Sequence, residues 1–288
     1  MKNRTNKAAE IELYNNTSIS ISKIITQSYS TSFSIAVSLL PNEMRKGIYS
    51  IYGFVRIADE IVDTFQDTDQ AFLLSNFERD YKDALHYGIS TNPVLNAFVK
   101  TLNMYDIPTH LVDSFLDSMK ADLNKSKYVN VTELNQYIYG SADVVGLMCL
   151  KIFVNGNTEM YNELEKPAMK LGSAFQKVNF LRDLKSDLEQ LNRTYFHQFD
   201  VQTFNESIKQ ELITDIEKDF KEARKGIIKL PGKSKLAVFI AFVYYRHLLI
   251  IIKKTPAKKI LAKRIRVNGP KKLWLMGNAY LKYQFNMI

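Results

Sequence analysis

The chain has 288 residues, 46% of them hydrophobic and 24% charged, which is ordinary globular usage and excludes a wholly disordered chain. Seven Pro and eleven Gly exclude collagen-like, Pro-rich and turn-dense all-β designs, and the single cysteine, Cys149, excludes an intramolecular disulfide framework and a cysteine zinc site and fits a reducing compartment. The net charge of +9 conceals an asymmetry: residues 221–288 hold 17 Lys and Arg against one acid, Glu222 (net +16), leaving 22 bases and 29 acids (net −7) in the first 220, so the last quarter suits either an anionic partner or a lysine-rich solvated face.

The N-terminus, MKNRTNKAAEIELYNN, has no apolar run, so no signal peptide is expected, and fraying is expected over about 1–15. Ile48, Ile51, Tyr52, Val55, Ala58, Ile61 and Val62 recur at helical spacing, as do Leu111, Phe115, Met119 and Leu123. Pro41, Pro93, Pro108, Pro167, Pro231, Pro256 and Pro270 read as helix boundaries. Thr91-Asn92-Pro93 and Asp106-Ile107-Pro108 look like helix starts, and Lys229-Leu230-Pro231-Gly232 like the loop before another helix. Residues 144–154, VVGLMCLKIFV, predict a core helix. The run 236–252, LAVFIAFVYYRHLLIII, is interrupted by Arg246 and His247. A membrane span needs about 20 apolar residues, and a central Arg costs about 3 kcal/mol or more, so this run predicts a helix buried in a bundle. There is no hairpin between two alternating runs and no internal repeat. The expectation is a single all-α domain over 1–288.

Two constellations carry chemistry. In RIADEIVD (56–63), Asp59 and Asp63 stand one helical turn apart on one face, with Arg56 and Tyr52 nearly on it. Carboxylates at that spacing repel unless a cation lies between them, and oxygen-only ligation suits Mg²⁺ bridging to a substrate phosphate. A lone DxxxD is also a common solvated face. In AFQKVNFLRDLKSD (174–187), Gln176, Asn179, Asp183 and Asp187 lie at i, i+3, i+7 and i+11, a polar stripe amid Phe175, Val178, Phe180, Leu181 and Leu184. Such a stripe is costly to bury unless it is ligated or hydrogen-bonded. Two such pairs on separate helices would make an oxygen-lined cage for Mg²⁺ and a diphosphate.

The sequence resembles the squalene/phytoene synthase family, which joins two prenyl diphosphates head to head. The resemblance runs from about Ile24 to Leu281, carried by SYSTSFSIAVSLLP (28–41), RKGIYSIYGFVRIADEIVD (45–63), YIYGSADVVG (137–146), FQKVNFLRDLKSD (175–187), NRTYF (192–196), YYRHLL (244–249) and RIRVNGPKKLWL (264–275). It implies an all-α isoprenoid synthase bundle around a central cavity. It further implies that Asp59, Asp63, Asp183 and Asp187, completed by Asn179 and Gln176, hold two or three Mg²⁺ ions. Arg56, Tyr52, Ser30 and Ser32 would address diphosphate oxygens, with Tyr137, Tyr245, Arg264 and Lys272 as further candidates. Four positions depart from the family pattern: Tyr29 where many members have His, Ser186 where Glu is usual, Asp143 where Gly is usual, and His197 where a Pro would follow Phe196. Tyr29 and Asp143 bear on local diphosphate contacts and not on the metal cage.

Phe33, Tyr52, Phe54, Phe175 and Phe180 are candidates for stabilising an allylic cation, although core packing explains most aromatics. Val37, one turn from Phe33, leaves room for a longer chain and hints at C20 donors, hence phytoene. The alternatives are a squalene or dehydrosqualene synthase using C15 donors, with NADPH needed only for squalene, or a non-catalytic family member acting as an assembly factor. The basic tail also suits nucleic acid, but no helix-turn-helix, zinc or RNP signature supports that. The expected partners are prenyl diphosphates and, through the basic C-terminal quarter, an anionic membrane, with a monomer at its cytoplasmic face. His86, His110, His197 and His247 lack ligand spacing, and Cys149 reads as a small buried hydrophobe.

Overall fold

A computed structural model describes residues 2–124, 128, 130–189 and 204–288, the side chains of 2–6 and 186–189 excepted. All regular structure among the described residues is helical, as the periodicity predicts. The helices group into two compact units, residues 1–110 and 111–288.

The first unit holds α1 (Lys2–Tyr29), α2 (Thr31–Ser38), α3 (Asn42–Asp63), α4 (Gln70–Tyr87) and α5 (Pro93–Tyr105). Its boundaries follow local chemistry. Pro41 precedes α3. Asp69 caps α4 by accepting from Phe72 N (2.9 Å), and Gly88, at φ +69°, ends it. Asn92 caps α5 and Pro93 opens it, where a missing N–H costs nothing. The aromatic core brings Phe54 against Phe98 at 3.9 Å between ring centroids and Phe77 at 5.2 Å.

α1 is helical from Lys2, where fraying is expected, and Tyr14 Oη anchors it by donating to Ser90 O (2.7 Å). Its inward stripe is hydroxylic: Ser18, Ser22 and Thr26 are wholly buried, and each satisfies itself on the carbonyl four residues back. Small residues let backbones approach, so a Cβ on Gly53 of α3 would lie 3.4 Å from Ser22 Cα. Buried Asn96 of α5 completes the seam, donating to Asn15 Oδ1 (3.0 Å) and Ser18 Oγ (3.2 Å).

The second unit begins within α6 (Thr109–Asn124) and continues through α7 (Val131–Ile138), a π-helical turn (Tyr139–Asp143), α8 (Val144–Val154), α9 (Thr158–Glu189), α10 (Glu206–Ile227), α11 (Gly232–Lys254), α12 (Ala257–Ala262) and α13 (Gly269–Gln284). Asn155 and Gly156, both at positive φ, terminate α8. Pro231 and Pro256 precede α11 and α12, and Pro270 opens α13. Pro167 is the exception to the boundary reading: it lies inside α9. There it packs on α10 at Gly226, where any Cβ would strike its ring, and this fit offsets the lost N–H donor.

Residues 131–154 and 232–254 are each long and apolar enough to cross a membrane. α11 nevertheless buries Leu236, Phe239, Ile240, Phe242, Leu248, Leu249 and Ile252 and contacts α9, α10 and α13, consistent with the bundle-helix reading of 236–252.

Gly140, in the π turn, approaches α6 so closely that a Cβ would collide with Ser118 Oγ and sit 2.6 Å from Ser114 O. Gly140→Ala is therefore expected to cost about 1–3 kcal/mol by overpacking, seen as a lower urea midpoint. Gly277→Ala, with open space around it, should leave the midpoint unchanged or raised.

Candidate active site

In the first unit the site residues sit on α2, on Ser30 just before it, and on α3 from Tyr52 to its C-terminal end. Asp59 and Asp63 are both half-buried, and Asp63 is the final helical residue. α3 has no base in its last turn, so two carboxylates one turn apart stand at the negative end of the helix dipole, an arrangement that favours a bound cation. Arg56 forms an ion pair with Glu60, which is 6% exposed, and its guanidinium lies 4.3 Å above the Tyr29 ring. Tyr29, at the position where the family pattern has His, is thus an exposed platform for Arg56.

Tyr52 stacks on Phe33 with centroids 5.1 Å apart and planes 24° apart. Ser30 is extended (φ −145°, ψ 93°) and separates α1 from α2, and its hydroxyl makes no capping bond. Ser32 is half-buried on α2. Val37 is 3% exposed, and Phe54 is fully buried in the aromatic core, where it acts as packing.

In the second unit α9 presents half-buried Gln176, Asn179 and Asp183 between Val178, Leu181 and Leu184, which are fully buried. Tyr245 of α11 donates to Asn179 Oδ1 (3.2 Å) and stacks on Phe175 at 4.0 Å. Burial raises the Tyr245 phenol, which keeps it a neutral donor. Asp183 is gripped from two sides. Arg182 Nε lies 3.1 and 3.0 Å from its two oxygens, and Arg264 Nε lies 2.6 Å from Oδ1. The segment carrying Arg264 is tied to α9 by Ile265 N donating to Arg182 O (3.4 Å). Lys272 Nζ lies 5.7 Å from the Tyr244 ring centroid, and that ring is 5.6 Å from Tyr245.

Asn179, Asp183, Tyr245 and Arg264 thus come together as one cluster, with Lys272 reaching it through Tyr244. Tyr137 is placed differently. It is 6% exposed and donates to Asp122 Oδ2 (3.0 Å), while its ring sits 6.2 Å from that of Phe180. The backbone of α9 carries Asp187 one turn past Asp183, but the side chains of Ser186 and Asp187, and the whole segment 192–197, lie outside the described residues. Among the described residues no three His, Cys, Asp or Glu side chains gather as a metal cluster. The donors present, Asp59 with Asp63 and Asn179 with Asp183, are all oxygen and fit a hard divalent cation such as Mg²⁺. Cys149 of α8 is partly buried, and desolvation pushes its thiol up to about 12, so it is no nucleophile.

Motif spacing misses a partly buried ionic network on the opposite face of α9. Lys177 bridges Asp215 and Asp219 of α10, at 2.6 Å each, and Lys170 reaches Asp219 at 2.9 Å. Asp143 of the π turn accepts from Ser173 Oγ (2.8 Å). Its carboxyl is pushed up to about 7, chiefly by burial, with Asp219 also raising it and Ser173, Lys170 and Lys177 opposing. Unfolded, it titrates near 3.8. From about pH 4 to 7 the unfolded state has therefore released a proton that the folded state retains, so this group's contribution to stability falls as pH rises through that window and levels off above it. Asp143→Asn, which keeps an acceptor for Ser173, is expected to match the parent's Tm at pH 4 and exceed it by several °C at pH 8. Equal melting at both values would contradict this.

The chain matches the squalene/phytoene synthase family over residues 26–271. It is 30% identical to the 4,4'-diapophytoene synthase of Staphylococcus haemolyticus (strain JCSC1435) over 66% of each chain. It is 27% identical to the 15-cis-phytoene synthase of Synechocystis sp. (strain ATCC 27184 / PCC 6803 / Kazusa), over 92% of this chain and 85% of the relative. Among solved structures, a dehydrosqualene synthase in complex with ligand superposes with a TM-score of 0.79 at 25% identity, covering 93% of this chain and 98% of that one.

Proposed function

This chain belongs to the squalene/phytoene synthase family, whose members are prenyltransferases that condense prenyl diphosphates head to head, and from that premise we propose that it converts two geranylgeranyl diphosphates to phytoene through a cyclopropylcarbinyl diphosphate. The observation that carries the diphosphate chemistry is that oxygen donors and cations share both site helices: Asp59 and Asp63 lie on α3 with Arg56, which is ion-paired to Glu60, and Asp183 on α9, one turn from Asn179, is ion-paired to Arg264. Asp59 and Asp63, and Asp183 and Asp187 with Asn179 and Gln176, would each hold Mg²⁺. When bound, Mg²⁺ neutralises diphosphate oxygens as a Lewis acid and so helps the allylic C–O bond ionise.

The chain's own groups do the rest. Arg56 and Arg264 donate charge-assisted hydrogen bonds to the departing diphosphate, each exchanging a carboxylate partner for a phosphate oxygen. Ser30 offers a hydroxyl not used in capping, with Ser32, Tyr245 and Lys272 as further donors. The stacked rings of Tyr52 and Phe33 present π faces worth about 0.5–2 kcal/mol each to an allylic cation. Apolar neighbours keep water from quenching that cation.

A second reading, condensation of two farnesyl diphosphates to dehydrosqualene, is favoured by the likeness to relatives named for that C30 chemistry. Incubation with C15 and C20 diphosphates, with and without NADPH, followed by product mass, separates the two. The proposal expects a C40 hydrocarbon from C20 donors without NADPH. A C30 product from C15 donors alone, or a strict NADPH requirement, contradicts it.

A further inference from the structure

α13 has two apolar faces. Leu275 and Ala279 are buried, where the helix packs against α11. On the opposite face Leu273, Trp274, Tyr280 and Leu281, at i, i+1, i+7 and i+8, are 66%, 56%, 43% and 55% exposed. Phe285 and Met287, just beyond the helix, extend the patch at 69% and 60%. An exposed apolar helical face is unfavourable in water and marks an interaction surface.

The surroundings of this face are cationic. Lys271 Nζ lies 3.7 Å from the Trp274 ring centroid, Lys282 sits in the last turn, and Lys271 and Lys254 both act on His247 of α11. Tyr283 Oη donates to Gly232 O (3.1 Å), which holds the end of α13 against the start of α11, and Lys235 lines the groove there. No Asp or Glu occurs after Glu222, so nothing in α11 to α13 offers this surface a counter-charge of its own.

We propose that this outward face of α13 docks on an anionic lipid bilayer, with Leu273, Trp274, Tyr280 and Leu281 entering the headgroup boundary and the flanking lysines meeting lipid phosphates. Trp and Tyr beside Lys on an amphipathic helix is the chemistry of an interfacial anchor, and the surrounding positive charge complements an anionic leaflet. A second copy is a poor occupant, because the face would bring like charge against like charge. The inference concerns binding alone and stands apart from the identity of the condensation product.

Trp274 is the chain's only tryptophan, so its fluorescence reads the surface directly. The test adds the intact protein to vesicles of phosphatidylcholine alone and of phosphatidylcholine with phosphatidylglycerol in equal parts, following Trp274 emission and co-sedimentation. The expected result is a blue shift and pelleting with the anionic vesicles, weakened by salt, and a loss of about tenfold or more in partitioning for Leu273→Glu/Leu281→Glu, whose melting matches the parent. Unchanged emission and no pelleting would overturn the proposal, as would equal binding by the double variant. So would a dimer, by sedimentation velocity, that the double variant dissociates without any lipid binding.

Discussion

Asp59→Ala and Asp183→Ala are each expected to lower kcat by about 10³-fold or more, which is about 4 kcal/mol of barrier, in an assay with saturating Mg²⁺ and prenyl diphosphate. The loss should fall on kcat because the carboxylates act on charge that develops as the diphosphate departs. The two variants differ in a second readout. Asp183 neutralises Arg182 and Arg264, and the Arg182 side chain is only 20% exposed. Burial works against its charge, while the hydrogen bonds and negative charge of Asp183 raise its pKa. Removing Asp183 leaves that guanidinium under-compensated, so Asp183→Ala should also melt lower. Asp183→Asn restores an acceptor and should recover melting without recovering kcat. An Asp59→Ala variant retaining more than about a tenth of kcat would remove α3 from the chemistry.

Phe98→Ala is expected to destabilise the protein by about 3–5 kcal/mol, measured by urea unfolding. Phe98 is fully buried, lies face to face with Phe54 (9° between planes) and reaches Tyr81 at 6.0 Å. Truncation would leave a cavity against α3, five residues before Asp59, so the damage is transmitted to the helix that carries the acidic pair. A cost below about 1 kcal/mol would mean that the site collapses around the loss, and that this aromatic stack does not hold α3.

The fold class was legible because apolar periodicity is strong over 48–62 and 111–123, and because six of the seven prolines stand at or next to helix starts. Pro167 was not, since its tolerance depends on Gly226 of α10, which no local pattern reveals. α1 hid for the same reason: its buried face is Ser18, Ser22 and Thr26, which a hydrophobic count scores as surface. In the site, the stripe Gln176–Asn179–Asp183 and the pair Asp59–Asp63 follow from helical spacing alone. The pairing of Arg56 with Glu60 and Tyr29, and the network Asp143–Ser173–Lys170–Lys177–Asp219, depend on which residues face each other in space. Lys177 stands inside the acidic motif yet points to α10, a direction its position in the motif does not disclose.

The most direct measurement is a crystal structure of the protein with Mg²⁺ and a non-ionising thiodiphosphate analogue of a prenyl substrate. The account expects Mg²⁺ at about 2.1 Å from carboxylate oxygens of Asp59 or Asp63 and of Asp183 or Asp187, with the analogue's phosphate oxygens completing the coordination. Mg²⁺ and diphosphate bound through other residues, with these four aspartates unchanged, would contradict it.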